Sequence, residues 1–254
     1  MIYSTMKHLL TSIAFFVCLP SVAEAKDFGP RLPLVEGTES TQTSGVNWPT
    51  SSVKTATKQK TMEPHPAPPF RILVDVGHGG YDFGAPGHFG ILEKQICLSI
   101  AARVKASLER AAKMADFGLQ VRLSRESDHF ISLRDRARVA NEWGADLFLS
   151  IHANSSPVAR ARGFEVYFLS NEATDAEATR VAKQENAEAT TGLSSGVLSI
   201  LSDLQTNVHI LESSQFAEVV YTALSERLRA NGRGVRQAPF SVLSGTQMPA
   251  LLIE

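Results

Sequence analysis

Apolar residues occur along this chain in two kinds of run that differ in length and period. Short, nearly continuous runs such as 72–76 are typical of strands buried in a parallel sheet. Longer segments such as 93–113 repeat apolar residues at the spacing of one helix face. The runs predict strands over 72–76, 119–123, 145–151, 163–169, 240–243 and 250–253, and helices over 93–113, 132–143, 175–188 and 213–228. Strands that alternate with helices predict an α/β fold: a three-layer domain with a mainly parallel twisted sheet flanked by helices.

The first 69 residues do not show this alternation of strand and helix patterns. A short basic region at Lys7 and His8, an apolar run over 9–19 and small residues at Ala23 and Ala25 predict a secretory signal peptide over 1–25. Its apolar run is too short for a spanning helix, so no stable membrane span is expected. Residues 26–69 are rich in Ser, Thr and Pro and predict a flexible linker before a folded domain over 70–254.

Charge and cysteine content narrow the function classes. The 254 residues carry 25 Lys and Arg against 26 Asp and Glu, so no basic excess exists to bind a phosphate backbone, and nucleic acid is not expected as a partner. Removal of the signal peptide would remove Cys18 and leave Cys97 alone, which excludes an intramolecular disulfide. Cys97 lies beside an apolar helical stripe and is interpreted as a buried structural residue rather than a reactive thiol.

Candidate metal ligands fall at the ends of predicted strands. His78 follows the first strand, His152 follows the third, and Glu93 begins a helix after a glycine-rich loop. Open α/β sheets bind ligands beyond the carboxyl ends of their strands, so these three side chains should converge at one edge. Two His and one Glu are a ligand set of hydrolytic zinc sites. Glu254 ends the last strand at the same edge and is the candidate general base.

Each of these residues also has an ordinary structural interpretation. A His at a strand end is, taken singly, more often a hydrogen-bonded loop residue than a ligand. Glu93 alone is equally consistent with an acid in the first turn of a helix, where the dipole favours it. The joint placement of two such His at strand ends favours the metal site.

The segment from Ile72 to Ala85 resembles the opening signature of the N-acetylmuramoyl-L-alanine amidase 3 family. The similarity continues in order to the end of the chain and covers residues from about 71 to 254. The further matching segments are 92–94, 123–128, 133–141, 145–154, 163–165, 185–186, 233–236, 240–243 and 249–254.

This resemblance implies a zinc-dependent hydrolase that cleaves the amide between N-acetylmuramic acid and L-alanine in peptidoglycan. It implies that His78, Glu93 and His152 bind Zn²⁺ and that Glu254 is catalytic, in an amidase domain over 70–254. With the signal peptide, it implies a periplasmic enzyme, in the family's usual setting of daughter-cell separation. Two alternatives remain: a zinc peptidase acting on the stem peptide, and an inactive wall-binding or regulatory relative.

Two segments depart from the family pattern. The family continues past its catalytic Glu, whereas this sequence stops at Glu254, so we expect a fragment rather than a degraded and inactive protein. Residues 188–211 contain a short apolar helix candidate over 197–204. Some divisome-linked relatives carry a helix here that covers the zinc site until a divisome-associated protein activator displaces it. The sequence is consistent with two interpretations of this segment: a helix that covers the zinc site, and a helix that only packs on the sheet.

Overall fold

The computed structural model describes residues 68–153, 162–187, 200–228 and 232–254. Within these ranges the strands are β1 (Phe70–Val76), β2 (Leu119–Leu123), β3 (Leu147–Ile151), β4 (Phe164–Leu169), β5 (Gly232–Ala238) and β6 (Ala250–Ile253). The helices are α1 (Glu93–Met114), α2 (Leu133–Trp143), α3 (Ala176–Glu185) and α4 (Ile200–Arg227).

The strands form one sheet in the order β2-β1-β3-β6-β4-β5. The first four strands of this order are mutually parallel, β4 pairs antiparallel with β6, and β5 pairs parallel with β4. The predicted α/β fold with a mainly parallel sheet is therefore confirmed. As a consequence, the carboxyl ends of β1, β3 and β6 share an edge with the amino ends of β4 and β5.

Successive side chains of β1 point to opposite faces of the sheet and enter two separate cores. Val74 and Val76 pack on one face, together with Cys97 of α1 and Phe216 of α4. Leu73 packs on the other face, with apolar residues of α2 and α3. Because helices cover both faces, the domain has the three layers that the sequence predicts.

The helix boundaries follow from local signals in the sequence. The Ser132 hydroxyl accepts a hydrogen bond from the backbone N–H of Asp135 and caps α2, which ends at Gly144 with φ of 67°. The Asp175 carboxylate accepts from the backbone N–H of Ala178 in the same way and caps α3. Side-chain caps of this kind satisfy N–H groups that have no partner inside the helix.

The predicted strand over 240–243 is wrong. Residues 241–245 form turns, with the N–H groups of Leu243 and Ser244 bonded to the carbonyl of Phe240. Phe240 and Leu243 are nonetheless fully buried in the core. A short apolar run reports burial, and it does not distinguish a strand from a compact apolar turn.

Two further elements differ from the prediction. The apolar pattern predicts no strand over 232–238, where β5 forms the edge of the sheet. This segment has few apolar residues and two glycines, so it does not show the apolar pattern of a strand. Residues 200–204 of the helix predicted over 197–204 and the helix predicted over 213–228 belong to one helix, α4, which is continuous from Ile200 to Arg227, while residues 197–199 lie outside the described residues.

Cys97 is completely buried, in agreement with a structural role. Burial raises the pKa of its thiol to about 12, so little thiolate is available for reaction at neutral pH.

The predicted signal peptide, nearly all of the linker, and residues 188–199 of the predicted insert lie outside the described residues. In the described part of the chain, no helix combines the length and the apolar character needed to cross a membrane.

Candidate metal centre

The four predicted site residues all lie at the shared edge of the sheet. His78 lies two residues beyond β1, His152 directly follows β3 and Glu254 directly follows β6. Glu93 is the first residue of α1, and its carboxylate accepts hydrogen bonds from two backbone N–H groups, those of Ala85 (2.7 Å) and Ala153 (2.8 Å).

Two imidazoles and the Glu93 carboxylate meet in one buried cluster. The Oε1 atom of Glu93 lies 3.2 Å from Nε2 of His78 and 3.5 Å from Nδ1 of His152. The two imidazole rings are 4.8 Å apart between centroids and nearly perpendicular, with an interplanar angle of 75°. The structure therefore brings together the three residues that the sequence predicts as ligands.

A second carboxylate, which is not among the predicted ligands, faces the same imidazoles. The Oε2 atom of Glu185 lies 2.9 Å from Nδ1 of His152 and 3.5 Å from Nε2 of His78. Glu185 is the last residue of α3, where the helix dipole disfavours a carboxylate. An acid in the last turn of a predicted helix, where the dipole disfavours it, is the sequence signal that marks Glu185 as unusual.

The facing atoms of this cluster satisfy the requirements of a metal site. Nε2 of His78, Nδ1 of His152 and both carboxylate oxygens of Glu185 are buried and make no hydrogen bond of acceptable geometry. Leaving buried polar atoms unpaired costs stability unless another group completes them. Imidazole nitrogens and carboxylate oxygens are also the ligand types that Zn²⁺ prefers, so the donor set fits this ion.

Asp82 fixes the orientation of one imidazole. The Nδ1 atom of His78 donates a hydrogen bond to Oδ2 of Asp82 at 2.7 Å, and Oδ1 of Asp82 accepts from the N–H of Gly84 at 3.1 Å. With the proton on Nδ1, the lone pair of Nε2 faces the cluster. A carboxylate behind a ligating His acts in this way in many metal sites.

Two glycines allow the cluster to be this compact. A Cβ atom on Gly84 would lie 2.6 Å from Cδ2 of His78 and 2.7 Å from Cβ of Glu93. A Cβ atom on Gly77 would lie 2.9 Å from Nε2 of His152. Gly84 also has a φ of +67°, a conformation that other residues rarely adopt.

Without a metal, the acids of the cluster favour protonated imidazoles. Burial alone would lower the pKa of His78, but the hydrogen bond to Asp82 and the nearby Glu93 carboxylate outweigh it and raise this pKa to about 9. Burial would likewise lower the pKa of His152, and Glu185 raises it well above the usual value. Burial would raise the pKa of Glu93, and the two imidazoles hold it well below its usual range. Metal binding must therefore displace protons from this cluster.

This charge arrangement predicts the pH dependence of the metal-free protein. The pKa of His78 is about 9 in the folded state and 6.5 in the unfolded state, so folding binds its proton more tightly. The resulting stabilisation is fully present below pH 6.5 and is lost as the pH rises through about 9. In EDTA, the parent protein should unfold at a higher urea concentration than His78→Gln at low pH. This difference between the two unfolding midpoints should become smaller as the pH rises from 6.5 to about 9. A difference that stays constant or widens would contradict the assignment.

Glu254 lies beside the cluster, opposite another acid. Glu254 and Glu165 form a close antiparallel backbone pair, in which the N–H of each donates to the carbonyl of the other at 3.0 Å. Side chains of directly opposed residues lie on the same face of a sheet. The Glu165 carboxylate accepts the Tyr167 hydroxyl and forms an ion pair with Nε of Arg233 at 2.7 Å. An ion-paired carboxylate therefore lies next to the predicted general base.

Comparisons with known proteins identify the family of this chain. The family model of N-acetylmuramoyl-L-alanine amidase matches residues 72–254. Curated relatives include the N-acetylmuramoyl-L-alanine amidase AmiA of Escherichia coli K12, 34% identical over 190 residues, which are 72% of this chain and 64% of the relative. The sporulation-specific N-acetylmuramoyl-L-alanine amidase of Bacillus subtilis 168 is 34% identical over 186 residues, which are 72% of this chain and 54% of the relative. The chain thus spans less than two thirds of the length of these relatives.

Solved structures give the same result. The N-acetylmuramoyl-L-alanine amidase AmiC2 of Nostoc punctiforme has a TM-score of 0.52 and 31% identity, with 73% of this chain and 78% of that chain covered. The N-acetylmuramoyl-L-alanine amidase of Clostridium difficile 630 has a TM-score of 0.52 and 28% identity, with the same coverage of 73% and 78%. The family match extends over all four predicted site residues, and the chain belongs to the N-acetylmuramoyl-L-alanine amidase family.

Proposed function

We propose that this protein is a zinc-dependent amidase that cleaves the bond between N-acetylmuramic acid and L-alanine in peptidoglycan. The convergence of His78, Glu93 and His152, with imidazole nitrogens that have no hydrogen-bond partner, carries the proposal. The names of the relatives supply the substrate class. These three residues would hold the ion, and Glu185 adds a second carboxylate that faces the same two imidazoles.

The chemistry divides between the metal and the protein. Zinc, when bound, supplies Lewis acidity toward a carbonyl oxygen and lowers the pKa of a water molecule. Asp82 keeps the His78 ring in the tautomer that leaves Nε2 free to bind the ion. Glu254 accepts a proton from the attacking water and delivers it to the amine nitrogen of L-alanine as the C–N bond breaks. The products are a lactyl carboxylate on the sugar and a free amino group on the peptide.

Digestion of purified peptidoglycan sacculi tests this proposal. The zinc-loaded protein should release intact stem peptides that begin with L-alanine and leave glycan strands without peptide. Peptides cut between later amino acids would instead identify a zinc peptidase. An absence of any release by folded, zinc-loaded protein would indicate a wall-binding or regulatory relative.

The crowding around Gly84 gives a prediction with an internal control. In Gly84→Ala the new Cβ atom would collide with His78 and Glu93, so zinc affinity should fall by about 10–100-fold. Gly90 has a similar φ of +75°, but a Cβ atom there meets nothing within 4 Å. Gly90→Ala therefore has a comparable backbone cost and should keep its zinc affinity in a chelator competition. Equal losses in both variants would mean that backbone strain, and not contact with the ligands, causes the effect.

We further propose that the protein works in the periplasm during daughter-cell separation. The predicted signal peptide over 1–25 supports export, and the linker over 26–69 would separate the amidase domain over 70–254 from the processed end. The mature chain would then begin at Lys26. Peptidoglycan, the proposed substrate, lies in the same compartment.

A divisome-associated protein activator is the proposed regulatory partner, acting on residues 188–211. Deletion of residues 194–206 should raise basal hydrolysis severalfold. If the closed state, with the helix over the zinc site, is about 2 kcal/mol more stable than the open state, only a few per cent of the molecules are active before the deletion. Hydrolysis of purified peptidoglycan, with zinc content and thermal unfolding as controls, measures the effect. A folded, zinc-loaded deletion variant that is no faster than the parent would leave this segment with a packing role.

A further inference from the structure

Arg125 is an almost completely buried cation whose side chain binds only backbone carbonyls. It follows β2 by two residues and is 2% exposed. Its three guanidinium nitrogens donate four hydrogen bonds, to the carbonyls of Val76 (3.2 Å), Gly77 (2.8 Å), Lys94 (2.8 Å) and Ser127 (3.1 Å). Among the described residues it forms no ion pair, although a buried charge is costly without an anionic partner.

The four acceptors connect the segments that carry two predicted ligands. Val76 and Gly77 directly precede His78, and Lys94 directly follows Glu93 in the first turn of α1. The Nη2 atom of Arg125 donates at once to the carbonyls of Gly77 and Lys94, both at 2.8 Å. One guanidinium nitrogen therefore ties the chain next to His78 to the chain next to Glu93.

Arg125 contacts the chain where the backbone leaves the sheet after β1, and there it donates to the carbonyl of Gly77. His78 has a φ of 58° and Gly79 a φ of 132°, so the backbone leaves the geometry of the sheet directly after Gly77. A Cβ atom on Gly79 would lie 3.0 Å from Nε of Arg125, so the glycine also makes room for the arginine. Irregular backbone in a buried place requires hydrogen-bond partners from side chains.

Arg136 provides a useful contrast, because it contacts the same loop with a different charge arrangement. It donates to the carbonyls of Val76 and His78 at 2.6 and 2.9 Å, but it also forms a buried ion pair with Asp75 at 3.0 Å. Charge pairing explains why Arg136 is stable in the core. Charge pairing of this kind does not explain the burial of Arg125, which forms no ion pair among the described residues.

We infer that Arg125 is a positioning residue that sets the distance between His78 and Glu93 and thereby the affinity of the metal site. The inference rests on the proposed metal-dependent function. The planar guanidinium matters, because its fork reaches four oxygens in fixed directions, whereas the single ammonium of a lysine cannot.

The test compares Arg125→Lys with a variant that loses stability elsewhere. Arg125→Lys should fold but bind zinc about 10–100-fold more weakly in a chelator competition, and its cobalt-substituted form should show an altered visible spectrum. Phe216→Ala, which opens the core at α4, should lose thermal stability and keep the parent's zinc affinity and cobalt spectrum. If Arg125→Lys does not fold, Arg125→Gln, which removes the buried charge and keeps an amide donor, replaces it.

A second readout needs no metal and separates this inference from the proposed function. In EDTA, hydrogen exchange at the N–H groups of Gly79 and Ala85, which bond to Asp82 and Glu93, should accelerate in the Arg125 variant more than in Phe216→Ala. Parent-like zinc affinity, cobalt spectrum and exchange in a folded Arg125 variant would overturn the inference. If the parent protein binds no zinc but the exchange effect appears, the positioning role stands and the proposed function fails.

Discussion

Replacing Glu254 by Gln is expected to slow hydrolysis of peptidoglycan about 100-fold or more while zinc stays bound. The amide keeps the shape of the side chain, but it cannot accept the proton of the attacking water. The proposed ligands His78, Glu93 and His152 are untouched, so metal analysis should still give a zinc content equal to that of the parent.

The matched control for this change is Glu126→Gln. Glu126 is exposed and faces Lys105 at 3.5 Å, so the same substitution there should leave the turnover unchanged. Turnover near the parent value in zinc-loaded Glu254→Gln would remove Glu254 from the mechanism.

Replacing His152 by Ala is expected to abolish stoichiometric zinc binding and hydrolysis together. His152 is buried, and its Nδ1 atom lies within 3.5 Å of both Glu93 and Glu185, so its loss leaves two carboxylates facing each other with one imidazole. Zinc content should fall from about one ion per folded chain to near none.

His209→Ala is the corresponding control. His209 lies on α4, where its ring faces Glu212 at 3.2 Å, and its replacement should leave the zinc content equal to that of the parent. Full zinc retention in folded His152→Ala would show that this imidazole is not a ligand.

Much of the fold could be predicted because the sheet is buried on both faces. Continuous apolar runs such as 72–76 and 250–253 leave few interpretations, and both are strands in the structure. The run over 240–243 is equally apolar and forms buried turns instead, because burial alone does not fix the backbone conformation. Strand β5 lies at the sheet edge with alternating polar residues and two glycines, so its pattern is too weak to detect.

The convergence of the site could be predicted for a topological reason. His78, His152 and Glu254 each follow a strand, and parallel strands bring their carboxyl ends to one edge. Glu185 and Arg125 lie on other kinds of segment, the end of a helix and the loop after β2. The contact of Glu185 with the imidazoles depends on how α3 packs, and the contacts of Arg125 depend on where the loop after β1 turns. Local sequence patterns encode neither arrangement.

The proposed zinc-dependent amidase activity is tested most directly by a zinc titration of the metal-free protein, in which the new amino termini released from peptidoglycan are identified. Hydrolysis should rise from near zero, stop rising at about one zinc per chain, and release peptides that begin with L-alanine. Hydrolysis that is unaffected by zinc removal, or peptides that begin at another residue, would contradict the proposed activity.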